Sequence, residues 1–80
     1  MTEHEAVEVV KRRRTALKIN RGMEVVSAEK AVVEYMKDRS KPGRIEDRVA
    51  WVVTLANSAG FAHVHVEDGT GEILEVLKTA

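Results

Sequence analysis

The chain has 80 residues, 44% of them hydrophobic, with 13 basic and 13 acidic side chains, 3 histidines and no cysteine. That length makes one domain with a modest core. The lack of cysteine excludes disulfide staples, thiolate metal sites and thiol catalysis, and zero net charge argues against general nucleic-acid binding.

Thr2 followed by Glu5 fits a capping box, with Glu3 and Glu5 favourably placed at a helix N-terminus. Ala6, Val9, Val10 and Leu17 share a face of a helix running to about Lys18, broken where Arg13 and Arg14 fall. Asn20-Arg21-Gly22 then reads as a helix end with a glycine stop. A rival reading makes residues 15–19 and 23–26 two strands joined by that turn. A second helix is predicted from Ser27, a good N-cap, because Ala28, Ala31, Val32, Tyr35 and Met36 form one apolar stripe. Lys37 and Arg39 suit its C-terminal end, and Lys41-Pro42-Gly43 stops it.

From Arg44 the pattern turns to strands. Residues 45–55 are rich in β-branched side chains and read as a central strand covered on at least one face. Residues 56–60 form a loop. Ala62, Val64 and Val66 then alternate with His63, His65 and Glu67, which puts the two sets on opposite faces. Asp68-Gly69-Thr70-Gly71 is a tight turn whose glycines supply positive φ, and residues 73–77 are the last strand. Short connections imply an antiparallel meander. The predicted class is α+β: one or two helices packed on one face of a three- to four-stranded antiparallel meander. It is a single domain over 1–80, with a basic helical segment at 1–22 and a helix-plus-sheet unit at 23–80.

Three pieces of the chain, taken in order, resemble the PepSY family of small bacterial domains. Val26-Ser27-Ala28-Glu29-Lys30-Ala31 is similar to that family's helix opening. Arg48-Val49-Ala50-Trp51-Val52-Val53-Thr54-Leu55 is similar to its central strand, and Val64-His65-Val66-Glu67-Asp68-Gly69-Thr70-Gly71-Glu72-Ile73-Leu74 to its closing hairpin. Residues 1–20 lie outside the resemblance. It implies a helix packed on an antiparallel sheet and a non-catalytic role, such as restraining a peptidase or sensing at the cell envelope. It brings no catalytic residues.

Several groups invite a chemical reading. His63 and His65, with Glu67 beside them, project from one strand face, and imidazole with carboxylate fits zinc or copper. Tetrahedral zinc needs further ligands, and His4 is the only other histidine, so the plainer reading is an open outer face with no metal or other cofactor. Asp68, Thr70 and Glu72 lack the twelve-residue calcium-loop spacing. Lys11, Arg12, Arg13, Arg14, Lys18 and Arg21 give a basic end to the first helix, suited to phosphate, an anionic lipid surface or an acidic protein patch. The plainer reading is a solvated helix end that complements the macrodipole. Ser27, Ser40 and Ser58 fall at a cap or in turns without a nucleophile motif, and Glu46 and Asp47 are adjacent, hence on opposite strand faces. No enzyme site emerges. Trp51 reads mainly as core, and with Phe61 it offers a small binding patch.

The leading expectation is a non-enzymatic binding or regulatory module. It docks on a protein partner, or on a second copy, through His63, His65, Glu67, Trp51 and Phe61 and through the sheet edges. Anion binding through the basic segment and metal binding through His63 and His65 are the alternatives. No apolar run approaches the roughly 18 residues that suggest a membrane span, and no signal peptide is evident. The sequence as written therefore reads as soluble and cytoplasmic, or as a trimmed piece of an exported protein.

Overall fold

The chain was analysed as a computed structural model, which describes residues 1–20, 22–36, 43 and 45–79. Its first element is α1 (Glu3–Arg12). The capping box forms as the sequence predicts: the Glu5 amide donates to Thr2 Oγ1 at 3.2 Å, and the Thr2 amide donates to Glu5 Oε1 at 2.9 Å. The Thr2 amide, which donates to the carboxylate, is the foremost cause of a lowered Glu5 pKa, and the Thr2 side chain acts in the same direction. Ala6 and Val10 are fully buried on one side of the helix.

α1 stops at Arg12, short of the expected Lys18. Residues 13–18 form turns instead. The turns bring both Leu17 and Ile19 onto the core, with the Ile19 amide donating to the Arg14 carbonyl at 3.0 Å. Lys18 takes φ 57°, an unusual conformation for lysine. Lys78 Nζ secures this segment by donating to the Leu17 and Lys18 carbonyls at 2.7 and 3.0 Å.

Four strands follow: β1 (Glu24–Met36), β2 (Ile45–Asn57), β3 (Gly60–Glu67) and β4 (Ile73–Lys78). They form one antiparallel sheet in the order β1-β2-β3-β4. The α+β class expected from the sequence is corrected here, because the molecule is mostly antiparallel sheet with a single short helix. The segment from Ser27 to Met36, expected as the second helix, is most of β1. The strand splits that stripe between two faces: Val25, Ala28, Lys30, Val32, Glu34 and Met36 lie on one, and Glu29, Ala31, Val33 and Tyr35 on the other. Val25, Val26, Val32 and Val33 are β-branched and favour strand. Pairing with β2 along nearly the whole length outweighs the local helix signal. A bulge at Val26 adjusts the register. The expected helix end at Lys37, Arg39 and the Lys41-Pro42 stop lies outside the described residues. The rival reading had residues 23–26 as strand, and Glu24 does begin one, whereas residues 15–19 are not strand.

The core lies on one face of the sheet. Val53, Leu55, Val64 and Val66 meet Ala6, Val10 and Ile19, with Trp51, Ala28, Ile73 and Val76 packed around them. Ala62, Val64 and Val66 are fully buried, as their alternation predicts. Of the two glycines in the β3–β4 turn, only Gly71 has positive φ, at 74°. That turn is held by the Gly71 amide on the Glu67 carbonyl at 2.9 Å and the Glu67 amide on the Glu72 carbonyl at 2.8 Å. At the β2–β3 turn, Asn57 Oδ1 accepts from the amides of Ala59 and Gly60 at 2.9 and 3.0 Å. A Cβ on Gly60 would lie 2.5 Å from Thr79 Oγ1, so the chain end closes against a position that glycine keeps clear.

Leu55→Ala is expected to cost about 2–4 kcal/mol of unfolding free energy, because it leaves a void at the centre of this core. Val26→Ala at the exposed bulge should change it by no more than about 0.5 kcal/mol. Urea denaturation followed by circular dichroism measures both.

Candidate binding face

Period-two alternation sorts every strand residue onto one of two faces. The face bearing Val53 and Leu55 is covered by α1 and the turns after it. No described element lies over the other face. Cross-strand register builds that open face from Val33 of β1, Val52 and Thr54 of β2, Phe61, His63, His65 and Glu67 of β3, and Glu75 and Leu77 of β4.

His63, His65 and Glu67 therefore share one face, as their alternation predicts, and Phe61 lies on it too. Trp51 does not join them. It shares a parity with Val53 and Leu55, sits on the helix-covered face, and donates from Nε1 to Asp68 Oδ1 at 2.9 Å. The patch of Trp51 with Phe61 is thus divided between two faces.

Within the open face the side chains engage one another. Thr54 Oγ1 and His63 Nδ1 share a hydrogen bond of 2.8 Å across β2 and β3. The Phe61 and His63 rings meet edge to face with centroids 4.8 Å apart. Glu67 accepts from Arg48 Nη1 at 3.3 Å, and Arg48 also binds Glu46 through Nη2 at 2.7 Å. Arg48 stands 6.0 Å from the centre of the Tyr35 ring. The Glu46 hydrogen bond and charge raise the Arg48 pKa. Glu67 is accordingly tied into a lattice that fastens β2 to β3. Sequence reading overlooked Arg48, Tyr35, Thr54, Val52 and Leu77. Counting by two from Val52 places Arg48 and Thr54 on the same face of β2.

The His65 side chain is largely enclosed, at 13% exposure. Its Nδ1 is buried without a hydrogen bond and lies 4.0 Å from Glu75 Oε2, too far for a hydrogen bond and close enough for an ion pair if the ring is charged. Burial lowers its pKa below the ordinary 6.5, His63 adds to the effect, and Glu75 opposes it.

The chemical options of the face are narrow. Thr54 with His63 pairs a hydroxyl with an imidazole, but no described carboxylate hydrogen-bonds His63 to orient it as a base. Among the described residues no group of three or more histidine, aspartate or glutamate side chains is placed to hold a metal ion. Among the described residues, His63 and His65 share a face with no third ligand placed beside them.

The basic segment is not one patch. Lys11, Arg12 and Arg13 are exposed at the end of α1. Arg14 turns inward and donates from Nη2 to the Met23 carbonyl at 2.9 Å. Lys18 lies in the turn fastened by Lys78. Arg21 is outside the described residues. No described helix is long and apolar enough to cross a membrane.

A scan of protein-family models returns no match, and comparisons with curated proteins and with solved structures return none either.

The lowered pKa of His65 gives a signed prediction. As pH falls the unfolded chain takes up this proton first, so the stabilisation is complete above 6.5 and declines as pH drops from there toward the folded-state value. Glu5 and Asp68, whose pKa values are also lowered, act in the same direction in the carboxylate range below. His65→Gln should flatten the stability profile between about pH 7 and pH 5 and leave the acid limb in place. Thermal melts across that range provide the check.

Proposed function

We propose that this chain is a non-enzymatic binding module that docks a protein partner on the open face of its sheet. One observation carries the reading: Phe61 and Leu77 stand 41% and 46% exposed on a face that no described element covers. Val33 and Val52 lie on the same face farther along the sheet. An exposed apolar pair beside fixed polar side chains suits protein contact. The internal bonds of Thr54–His63 and Arg48–Glu67 support it further, because side chains already held in place lose less entropy on binding.

The resemblance to PepSY domains adds peptidase regulation as the kind of task. Residues 48–55 in β2 and 64–74 across the β3–β4 hairpin carry it. Residues 26–31, which would open that family's helix, are strand here.

A second reading, binding of an acidic partner or an anionic surface, rests on Lys11, Arg12 and Arg13, which are exposed and form no ion pair with a described residue.

Capture experiments with the immobilised chain separate the two. The expected outcome is a protein retained by the wild type at about 0.5 M salt, where exposed charge pairs are screened. It should be lost with Leu77→Glu or Phe61→Glu and kept with Arg12→Glu. Retention that survives Leu77→Glu and Phe61→Glu, but disappears with salt or with Arg12→Glu, would replace the docking reading with the anionic one.

A further inference from the structure

β1 pairs only with β2, so its other side is an open edge, and at thirteen residues it is far longer than the six-residue edge β4. Open edges recruit further strands unless charge or distortion blocks them. β1 is bulged only at Val26. Beyond the bulge it runs unbroken to Met36, with Val32 67% exposed.

We infer that β1 is the pairing edge for a second copy of this chain, in the register that sets Val32 opposite its own copy and Lys30 opposite Glu34. The argument is geometric. Two copies of an edge strand join antiparallel about a two-fold axis normal to the sheet, so paired residues share a face and one residue must face itself. With Glu29, Lys30 or Glu34 on the axis, like charges meet. With Ala31 on the axis, Lys30 meets Val32 and Glu34 meets Ala28. With Val33 there, Lys30 meets Met36 and Glu34 meets Val32. With Ala28 there, Lys30 meets Val26 in the bulge. Val32 on the axis pairs Lys30 with Glu34 twice, once on each side. It also sets Ala31 against Val33 and Met36 against Ala28, which already packs on the core.

The charges of the single chain fit the same register. Glu34 lies directly opposite Asp47 in the β1–β2 pair, an unfavourable like-charge contact. No described cation is paired with either. Lys30 is half exposed and reaches Asp68 Oδ2 at 3.3 Å. In the paired edge, the Lys30 ammonium of one copy approaches the Glu34 carboxylate of the other, on the helix-covered face, and relieves the repulsion from Asp47. This surface is separate from the open sheet face.

Sedimentation equilibrium across a concentration series tests it. The wild type is expected to approach twice the 8.9 kDa of one chain. Glu34→Lys should weaken self-association roughly tenfold or more, since both symmetric pairs become repulsive. The same change should raise the melting temperature of the monomer, because it places a lysine opposite Asp47. Lys30→Glu should also weaken self-association. An equal mixture of the Glu34→Lys and Lys30→Glu proteins should restore the dimer, because both cross-pairs are then of opposite charge. Should Lys30→Glu fail to fold, Glu34→Lys with its opposed effects on dimer and monomer carries the test alone. Leu77→Glu on the open face should leave the dimer intact, whatever its effect on partner capture. A single 8.9 kDa species throughout the series would overturn the inference. So would a dimer indifferent to Glu34→Lys, or a mixture no more associated than its components.

Discussion

The architecture follows from a mismatch of lengths. A ten-residue helix extends about 15 Å, whereas a thirteen-residue strand extends about 43 Å, and one helix has two such strands to cover. It shields only the region where β2 is also paired with β3, from Ala50 to Asn57. Past that region β1 and β2 continue as a two-stranded ribbon. There the helix-side positions Val32, Val49, Met36 and Ile45 lie beyond the cover and are exposed. The opposite face is left open as well. Both surfaces on which binding is proposed are what a single short helix cannot reach.

Beside the packing of Ala6 and Val10, Asp68 at the turn between β3 and β4 ties the start of that helix to the sheet. Its carboxylate accepts from Trp51 Nε1 at 2.9 Å and lies 3.4 Å from the N-terminal ammonium and 3.3 Å from Lys30 Nζ. Its amide donates to the Val49 carbonyl at 3.0 Å. The Trp51 hydrogen bond is the foremost cause of its lowered pKa, and Lys30 and the N-terminus act in the same direction against a partial burial cost. One side chain thus ties the start of α1 to β1, β2 and the turn. Gly71 completes the joint. Its φ of 74° shapes the turn, and a Cβ there would approach Met1 Cε to 3.1 Å.

The parts legible in the sequence were those whose partners are close in the chain. The capping box at Thr2 and Glu5 is settled within one turn. The alternation of Ala62, Val64 and Val66 against His63 and His65 is settled by one strand with one wet face. β1 was not legible in the same way. Ala28, Ala31, Val32, Tyr35 and Met36 fit a period of 3.6, while read by twos the same stretch mixes apolar and charged residues on both faces. The deciding term is its pairing with residues 45–56, which no local pattern encodes. Trp51 was misplaced relative to Phe61 for a simpler reason. Val53 and Leu55 fix the inner parity of β2, and Trp51 shares it. Phe61 carries the outer parity of β3.

The two proposed surfaces are geometrically coupled. A two-fold axis normal to the sheet keeps both helices on one side and both open faces on the other. The joined β1 edges would make a continuous eight-stranded sheet, with His63, His65, Phe61 and Leu77 of each copy on the same surface. A partner with two contact points, or itself a dimer, would meet both faces at once, and its second contact would form at a high effective concentration. A weak single-face contact would then suffice for stable binding. The edge that sequence rules mark as a hazard for aggregation would set the valency of the open face. A register held by Lys30 and Glu34 would confine that pairing to two chains, because each edge, once paired, has no free side left to offer a third.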